Sequence, residues 1–120
     1  MSDTLTKIEI ITRPIKFDEL KLELAKIGVS GLTVSNVLGC GLQKGFTELY
    51  RGIKREVDMH ERIKVEIVVC KVPVQSVIDT ARRVLKMGQP GDGKIFVYEI
   101  ANAIKIRTGE EGCDALQNEN

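Results

Sequence analysis

The sequence has no tryptophan and one histidine, and aromatic residues make up only 4% of its 120 positions. An RNA-binding sheet stacks bases on aromatic side chains shown by its central strands. Here the clearest strand, RIKVEIVVC (62–70), is aliphatic and charged instead. Charge of one sign is missing too. Eighteen Lys and Arg face seventeen Asp and Glu, for a net charge of +1, so no strong field favours nucleic acid or an anionic membrane. No apolar run approaches the roughly 18 residues of a membrane span. The start, MSDTLTKIEI, carries no signal-peptide core, and a cytoplasmic location is expected.

Cysteine is sparse: Cys40, Cys70 and Cys113 are odd in number, widely spaced, and form no CxxC pair. With His60 as the lone histidine, no zinc site, redox pair or metal-carrier loop is expected. The thiols read as reduced and unpaired, Cys70 as a small buried hydrophobe at a strand end and Cys40 at the start of a loop. No G-x-S-x-G and no nucleophile with an adjacent base is present. A small phosphotransferase or an acyl-phosphatase-like hydrolase is therefore disfavoured. No enzymatic role is expected.

What is present is the composition of one soluble globular domain, 42% hydrophobic and 29% charged. TKIEIIT alternates Ile8 and Ile10 with Lys7 and Glu9, a first strand. FDELKLELAKIG repeats Phe17, Leu20, Leu24 and Ile27 at helical spacing and ends on Gly28, suited to a left-handed cap. GLTVSNVLG reads as a second strand. Ile63, Val65, Ile67 and Val69 line one face of the third. PVQSVIDTARRVLK is a second helix, and a glycine- and proline-rich turn leads into a fourth strand, KIFVYEI. NAIKIRTG alternates again and reads as a short extra strand before a polar tail. The order β-α-β-β-α-β predicts an α+β, ferredoxin-like sandwich: a four-stranded antiparallel sheet with both helices on one face. Val68 and Phe96 on the other face need cover, so self-association is expected.

Two features point to an anion. PGDGK (90–94) joins helix to strand, and its glycines let backbone N–H groups converge beside Lys94. Alone it reads as a tight turn, since Asp-Gly is a standard turn dipeptide. Lys105 and Arg107, two apart on the expected strand, leave one face together and suit phosphate oxygens. Between strands 2 and 3 lies GCGLQKGFTELYRGIKREVD (39–58), too long for a hairpin turn. Loops of that length are functional or disordered.

These residues resemble the PII nitrogen-regulatory signalling proteins along nearly the whole chain. The stretches QKGFTELYRG (43–52), GDGKIFV (91–97) and IKIRTGEE (104–111) carry the match in this order. The resemblance implies one domain over residues 1–120, with a partner-docking T-loop at about 40–59 and a polar tail at about 110–120. It implies a homotrimer with nucleotide clefts between subunits, where ATP and ADP compete and 2-oxoglutarate joins Mg-ATP. On this likeness Ile11, Thr33 and Val68 line the adenine side, and Gly39, Gly41 and Leu42 open the loop beside the nucleotide. Gly91, Asp92, Gly93 and Lys94 meet the phosphates, with Lys105 and Arg107 opposite. Gln43 helps hold Mg2+, and Gly41, Gln43, Lys44, Gly45 and Arg62 surround 2-oxoglutarate. Phe46, Tyr50, Arg51, Ile53 and Arg55 form the docking loop. Its implied partner is an ammonium transporter or a nitrogen-metabolism enzyme or regulator. The protein would reach a membrane only through such a transporter, and it would not bind nucleic acid directly.

The chain departs from that family in places. Leu42 stands where many members place a phosphate-reaching arginine, Lys105 where many have arginine, and Arg62 where a lysine is usual. Arg55 replaces the tyrosine that is uridylylated in some members, and Ile53 replaces a serine that others phosphorylate. Tyr50 matches the YRG tyrosine, not the modified one, so no covalent switch is expected at Tyr50, Ile53 or Arg55. A divergent regulator that senses adenine nucleotides alone, without 2-oxoglutarate and with a different partner, is the alternative.

Overall fold

A computed structural model describes residues 4–41, 49–50, 53–54 and 59–116. Strand β1 (Leu5–Thr12) leads through a 3-10 turn at Pro14–Lys16 into helix α1 (Phe17–Lys26). Strand β2 (Thr33–Cys40) follows. Inside the long loop, β3 (Leu49–Tyr50) and β4 (Ile53–Lys54) pair antiparallel. Then come β5 (Met59–Val69), helix α2 (Val74–Leu85) and β6 (Lys94–Ile100). The main sheet has the order β2-β5-β1-β6, and each adjacent pair is antiparallel. This is the ferredoxin-like plan that the strand and helix order predicts.

Alternation decides which side is the core. Ile8 and Ile10 on β1 face Ile67 and Val65 on β5, and all four are buried. Ile63 and Val69 extend the same row. The helices add Leu20 and Leu24 from α1 and Val77, Ala81, Val84 and Leu85 from α2, at the spacing that places them on one face. Each such fully buried aliphatic side chain stabilises by about 1.5–3 kcal/mol. Helix α1 stops in a Schellman turn. Gly28 takes φ +101°, its N–H donates to the Ala25 carbonyl, and the Val29 N–H donates to the Leu24 carbonyl.

The opposite face is charged at its centre. Lys7 lies 2.7 Å from Glu66 and 3.8 Å from Glu9, with its ammonium 5.2 Å from the centre of the Tyr98 ring. The hydrogen bond between them raises the Lys7 pKa and lowers that of Glu66. Phe96 and Tyr98 stand 42% and 44% exposed beside this cluster.

Two sequence expectations are corrected. The piece after β6 is not a strand. Ile104 makes a single bridge to Glu111, and residues 106–108 form a turn. Gly109, at φ +79°, lets the chain fold back: its N–H donates to the Lys105 carbonyl, and the Lys105 N–H donates to the Glu110 carbonyl. Those backbone groups are satisfied locally, so the alternating pattern has no ladder to join. The cysteines are not all free either. Cys70 and Cys113 form a disulfide with a Cα–Cα distance of 5.7 Å, while Cys40 is free and exposed. The sheet register explains the pairing. Val69 lies opposite Thr6 and Ile100 opposite Leu5, so the chain leaving β6 emerges at the end of the sheet where β5 stops. The bond spans 43 residues, hidden from the sequence by that separation. It joins the short 3-10 helix at Gly112–Leu116 to the β5 end.

Candidate functional site

The GDGK segment is held at the other end of the sheet. Lys94 begins β6 opposite Ile11, so Gly93 crosses the end of β1. Gly93 has φ +108°, and a Cβ there would overlap the Ile11 carbonyl oxygen and come within 3.0 Å of the Thr12 Cα. Only glycine fits both the backbone angle and this approach.

Asp92 organises the turn before it. Its carboxylate accepts hydrogen bonds from the backbone N–H groups of Met87, Gly88 and Gln89 at 3.0, 2.9 and 3.4 Å. Arg13 donates to it at 2.9 Å and to the Pro90 carbonyl at 2.6 Å, and the Thr12 hydroxyl donates to the Asp92 carbonyl at 2.8 Å. The Met87 N–H, followed by the Arg13 guanidinium and the other N–H groups, holds the Asp92 pKa below its ordinary value, against the opposing effect of burial. The Asp92 side chain is thus occupied in shaping the loop, while Gly91, Gly93 and Lys94 face a cleft.

Those residues line a cleft of about 340 Å³ together with Ile11, Gly39, Gly41 and Arg62. Gly39 and Gly41 come from the end of β2 and Arg62 from β5, the strand that lies between β2 and β1. A Cβ on Gly91 would lie 2.6 Å from the Arg13 guanidinium and 3.3 Å from that of Arg62, so two cations flank this turn. Backbone turns between glycines beside Lys94 and Arg62 suit an anion carrying several oxygens, while Arg13 is paired with Asp92.

Thr33 and Val68 lie elsewhere. They line a second cleft with Lys7, Glu66 and Leu116. Val68 is opposite Lys7 on β1, whereas Lys94 is opposite Ile11. Four residues of strand separate these levels by about 13 Å. Lys105 and Arg107 sit on the folded-back segment rather than on a strand. The Lys105 ammonium lies 3.4 Å from Glu110 with its side chain 10% exposed, and Arg107 is exposed. A hydrogen bond from Thr108, then the charge of Lys105, lowers the Glu110 pKa. Within one chain Thr33 and Val68 therefore stand apart from the 91–94 turn, and Lys105 and Arg107 line neither of these two clefts.

The P-II family model, described as nitrogen regulatory protein P-II, matches residues 5–110. The chain belongs to the nitrogen regulatory P-II family. A Bacillus subtilis (strain 168) nitrogen regulatory PII-like protein is 66% identical over 97% of this chain and all of its own length. Nitrogen regulatory protein P-II 1 of Escherichia coli (strain K12) is 48% identical over 93% of this chain and all of its own. Among solved structures, B. subtilis GlnK superposes with a TM-score of 0.83 at 66% identity, covering 93% of this chain and 98% of that one. A GlnK–ATP complex superposes at 0.84 and 60% identity, covering 96% and 98%.

Against the P-II pattern, Leu42, Gln43, Lys44, Gly45, Phe46, Arg51 and Arg55 lie outside the described residues. For Tyr50 and Ile53 the structure describes only their backbone pairing with each other. Among the described residues no group of three His, Cys, Asp or Glu side chains could hold a metal ion. No described helix is long and apolar enough to cross a membrane.

Sequence reasoning missed Arg13. It follows the first strand in the unremarkable dipeptide Arg-Pro, and nothing local ties it to residues some eighty positions later. The one available signal was its place at a strand end, from which a long side chain can reach a neighbouring turn. His60, Cys40 and Phe96 were read from the sequence without a place in this site, yet they line the same cleft.

Proposed function

We propose that this P-II protein is a ligand-sensing regulator that binds ATP or ADP at clefts between the subunits of a homotrimer. It signals by the conformation of its T-loop and catalyses no reaction. The glycine turn 91–94, flanked by Lys94, Arg13 and Arg62, carries this reading, supported by the likeness to a GlnK–ATP complex. The phosphates would lie along Gly91–Gly93 and Lys94. Ile11 and the Gly39–Gly41 backbone would line one side, while Thr33, Val68, Lys105 and Arg107 of a second copy would complete the other. A separation of about 13 Å along the sheet between Val68 and Lys94 fits such a divided site better than a closed pocket in one chain.

The donor set also fits 2-oxoglutarate with Mg-ATP. Arg62 lies beside the phosphate turn and offers a fork for a carboxylate, while Gln43 would share Mg2+ with the phosphates and the 2-oxo acid. Mg2+ thus enters with its ligands, in keeping with the lack of a carboxylate cluster among the described residues. The docking loop, Phe46 to Arg55, would contact an ammonium transporter or a nitrogen-metabolism enzyme or regulator in the cytoplasm. Its switching would rest on small ligands alone.

Calorimetry with ATP, ADP and AMP, with and without Mg2+ and 2-oxoglutarate, tests this reading alongside sedimentation for the trimer. Micromolar or tighter ATP binding to a trimer is expected. Binding of ATP without any 2-oxoglutarate effect would favour the divergent regulator, and absence of adenine-nucleotide binding would overturn the proposal. Leu42→Arg should tighten ATP about ten- to a hundredfold, the value of one charge-assisted hydrogen bond. Equal affinities would remove Leu42 from the site.

A further inference from the structure

The Cys70–Cys113 bond occupies a position that the nucleotide reading leaves unused. Both cysteines are half-buried and line a solvent-connected cleft with Val68, Lys71 and Leu116. Val68 and Leu116 also line the second cleft, beside Thr33. Leu116 belongs to the same short 3-10 helix as Cys113. The bond therefore fixes one wall of the half-site that holds Thr33 and Val68. The segment leading to it is shaped from within: the Asn102 side-chain amide donates to Glu111, and the Gly112 N–H donates to the Ala103 carbonyl and the Asn102 side-chain oxygen. Its covalent anchor to the sheet is the bond to Cys70.

We propose that Cys70 and Cys113 form a reversible thiol–disulfide site that sets nucleotide affinity by clamping the 101–116 segment against the second half-site. The coupling to affinity rests on the nucleotide reading above. A dithiol reductant opens the site. One of its thiolates attacks a cysteine sulfur, the other cysteine leaves as a thiolate and is protonated, and the reductant's second thiol resolves the mixed disulfide. Two electrons and two protons pass to the protein, which gains two thiols, and the reductant becomes a disulfide. A bond reached from a solvent-connected cleft is open to this exchange, unlike one sealed in a core. Opening frees Cys113 and Leu116 from the β5 end, loosening the wall beside Val68 and Thr33.

The test compares the native protein before and after treatment with dithiothreitol, using alkylation mass spectrometry, hydrogen exchange and ATP calorimetry. One free thiol, Cys40, is expected in the protein kept free of reductant and of added disulfide, and three after reduction. Amide exchange over residues 101–116 should speed up about tenfold on reduction while the β1 and β5 core stays protected. ATP affinity should fall by roughly fivefold, as expected when a preorganised wall is released. Cys70→Ser should match the reduced protein and no longer respond to dithiothreitol. Three free thiols before reduction, or unchanged exchange on reduction, would overturn the site. Faster exchange with equal ATP affinity in both states would overturn its coupling to the nucleotide. If ATP binds neither form, the nucleotide reading fails, and the exchange result alone decides whether the site is a redox latch.

Discussion

Two polar connectors bracket the sheet, and they are held by different means. The turn at 87–93 is tied down by side chains from distant sequence. Arg13 and Thr12 reach it across 77 to 80 residues, and three backbone N–H groups close on Asp92. In the segment at 101–116, the hydrogen bonds of Asn102, Ala103, Thr108 and Gly112 span ten residues or fewer, and one disulfide ties the segment to β5. Noncovalent anchors make the first connector sensitive to proton concentration and to packing. A covalent anchor makes the second sensitive to reductant. The lesson is that two connectors on one sheet can be held by different chemistry, so that different conditions would loosen each.

The largest effect expected from breaking this contrast comes from the disulfide. Closing a 43-residue loop removes chain entropy worth about 4 kcal/mol from the unfolded state. Reduction should lower unfolding stability by up to that amount in urea titrations, with Cys113→Ser lowering it equally. Gly93→Ala comes next, because the new Cβ meets the Ile11 carbonyl in a backbone region that alanine avoids. A loss of about 2–4 kcal/mol is expected in the same titrations, along with loss of ATP binding. Lys94→Ala separates binding from folding. Calorimetry should show ATP weakened about ten- to a hundredfold, with stability changed by less than about 0.5 kcal/mol.

The smallest effect is the acid response of the 87–93 turn. Asp92 has a folded pKa below its ordinary 3.8. Its stabilisation is therefore full above the unfolded value and is lost as pH falls through the lower folded one. Asp92→Ala should be less stable than the native protein at neutral pH, and the gap should close as the pH falls below 3.8. Glu110 in the other connector is lowered as well, so only the difference between the native and Asp92→Ala titrations isolates the first connector. A gap that persists unchanged to low pH would show that Asp92 acts by its shape and not by its charge.

Much of the fold was legible because its patterns are local. Ile63, Val65, Ile67 and Val69 alternate as a strand with one buried face does, and α2 carries its apolar stripe at helical spacing. Gly28 announced the end of α1, and the Schellman turn is there. The same reasoning failed at Ile104 to Arg107, where alternation was real but no neighbouring edge received it. A period of two records what a segment could pair with, not whether a partner strand is present. The GDGK turn was legible as a place for an anion. The role of Asp92 within it was not, because its partners are backbone groups and an arginine from the far end of β1.

By itself, then, the sequence determined the element order, the buried face of each element, the glycines at the turns and the P-II resemblance. All of these depend on neighbours within a few residues or on whole-chain similarity. The tertiary structure alone decided that Arg13 clamps the Asp92 turn, that Thr33 and Val68 stand apart from Lys94, and that Cys70 meets Cys113. These facts depend on which strand lies beside which, and the order β2-β5-β1-β6 brings together residues that no local pattern relates.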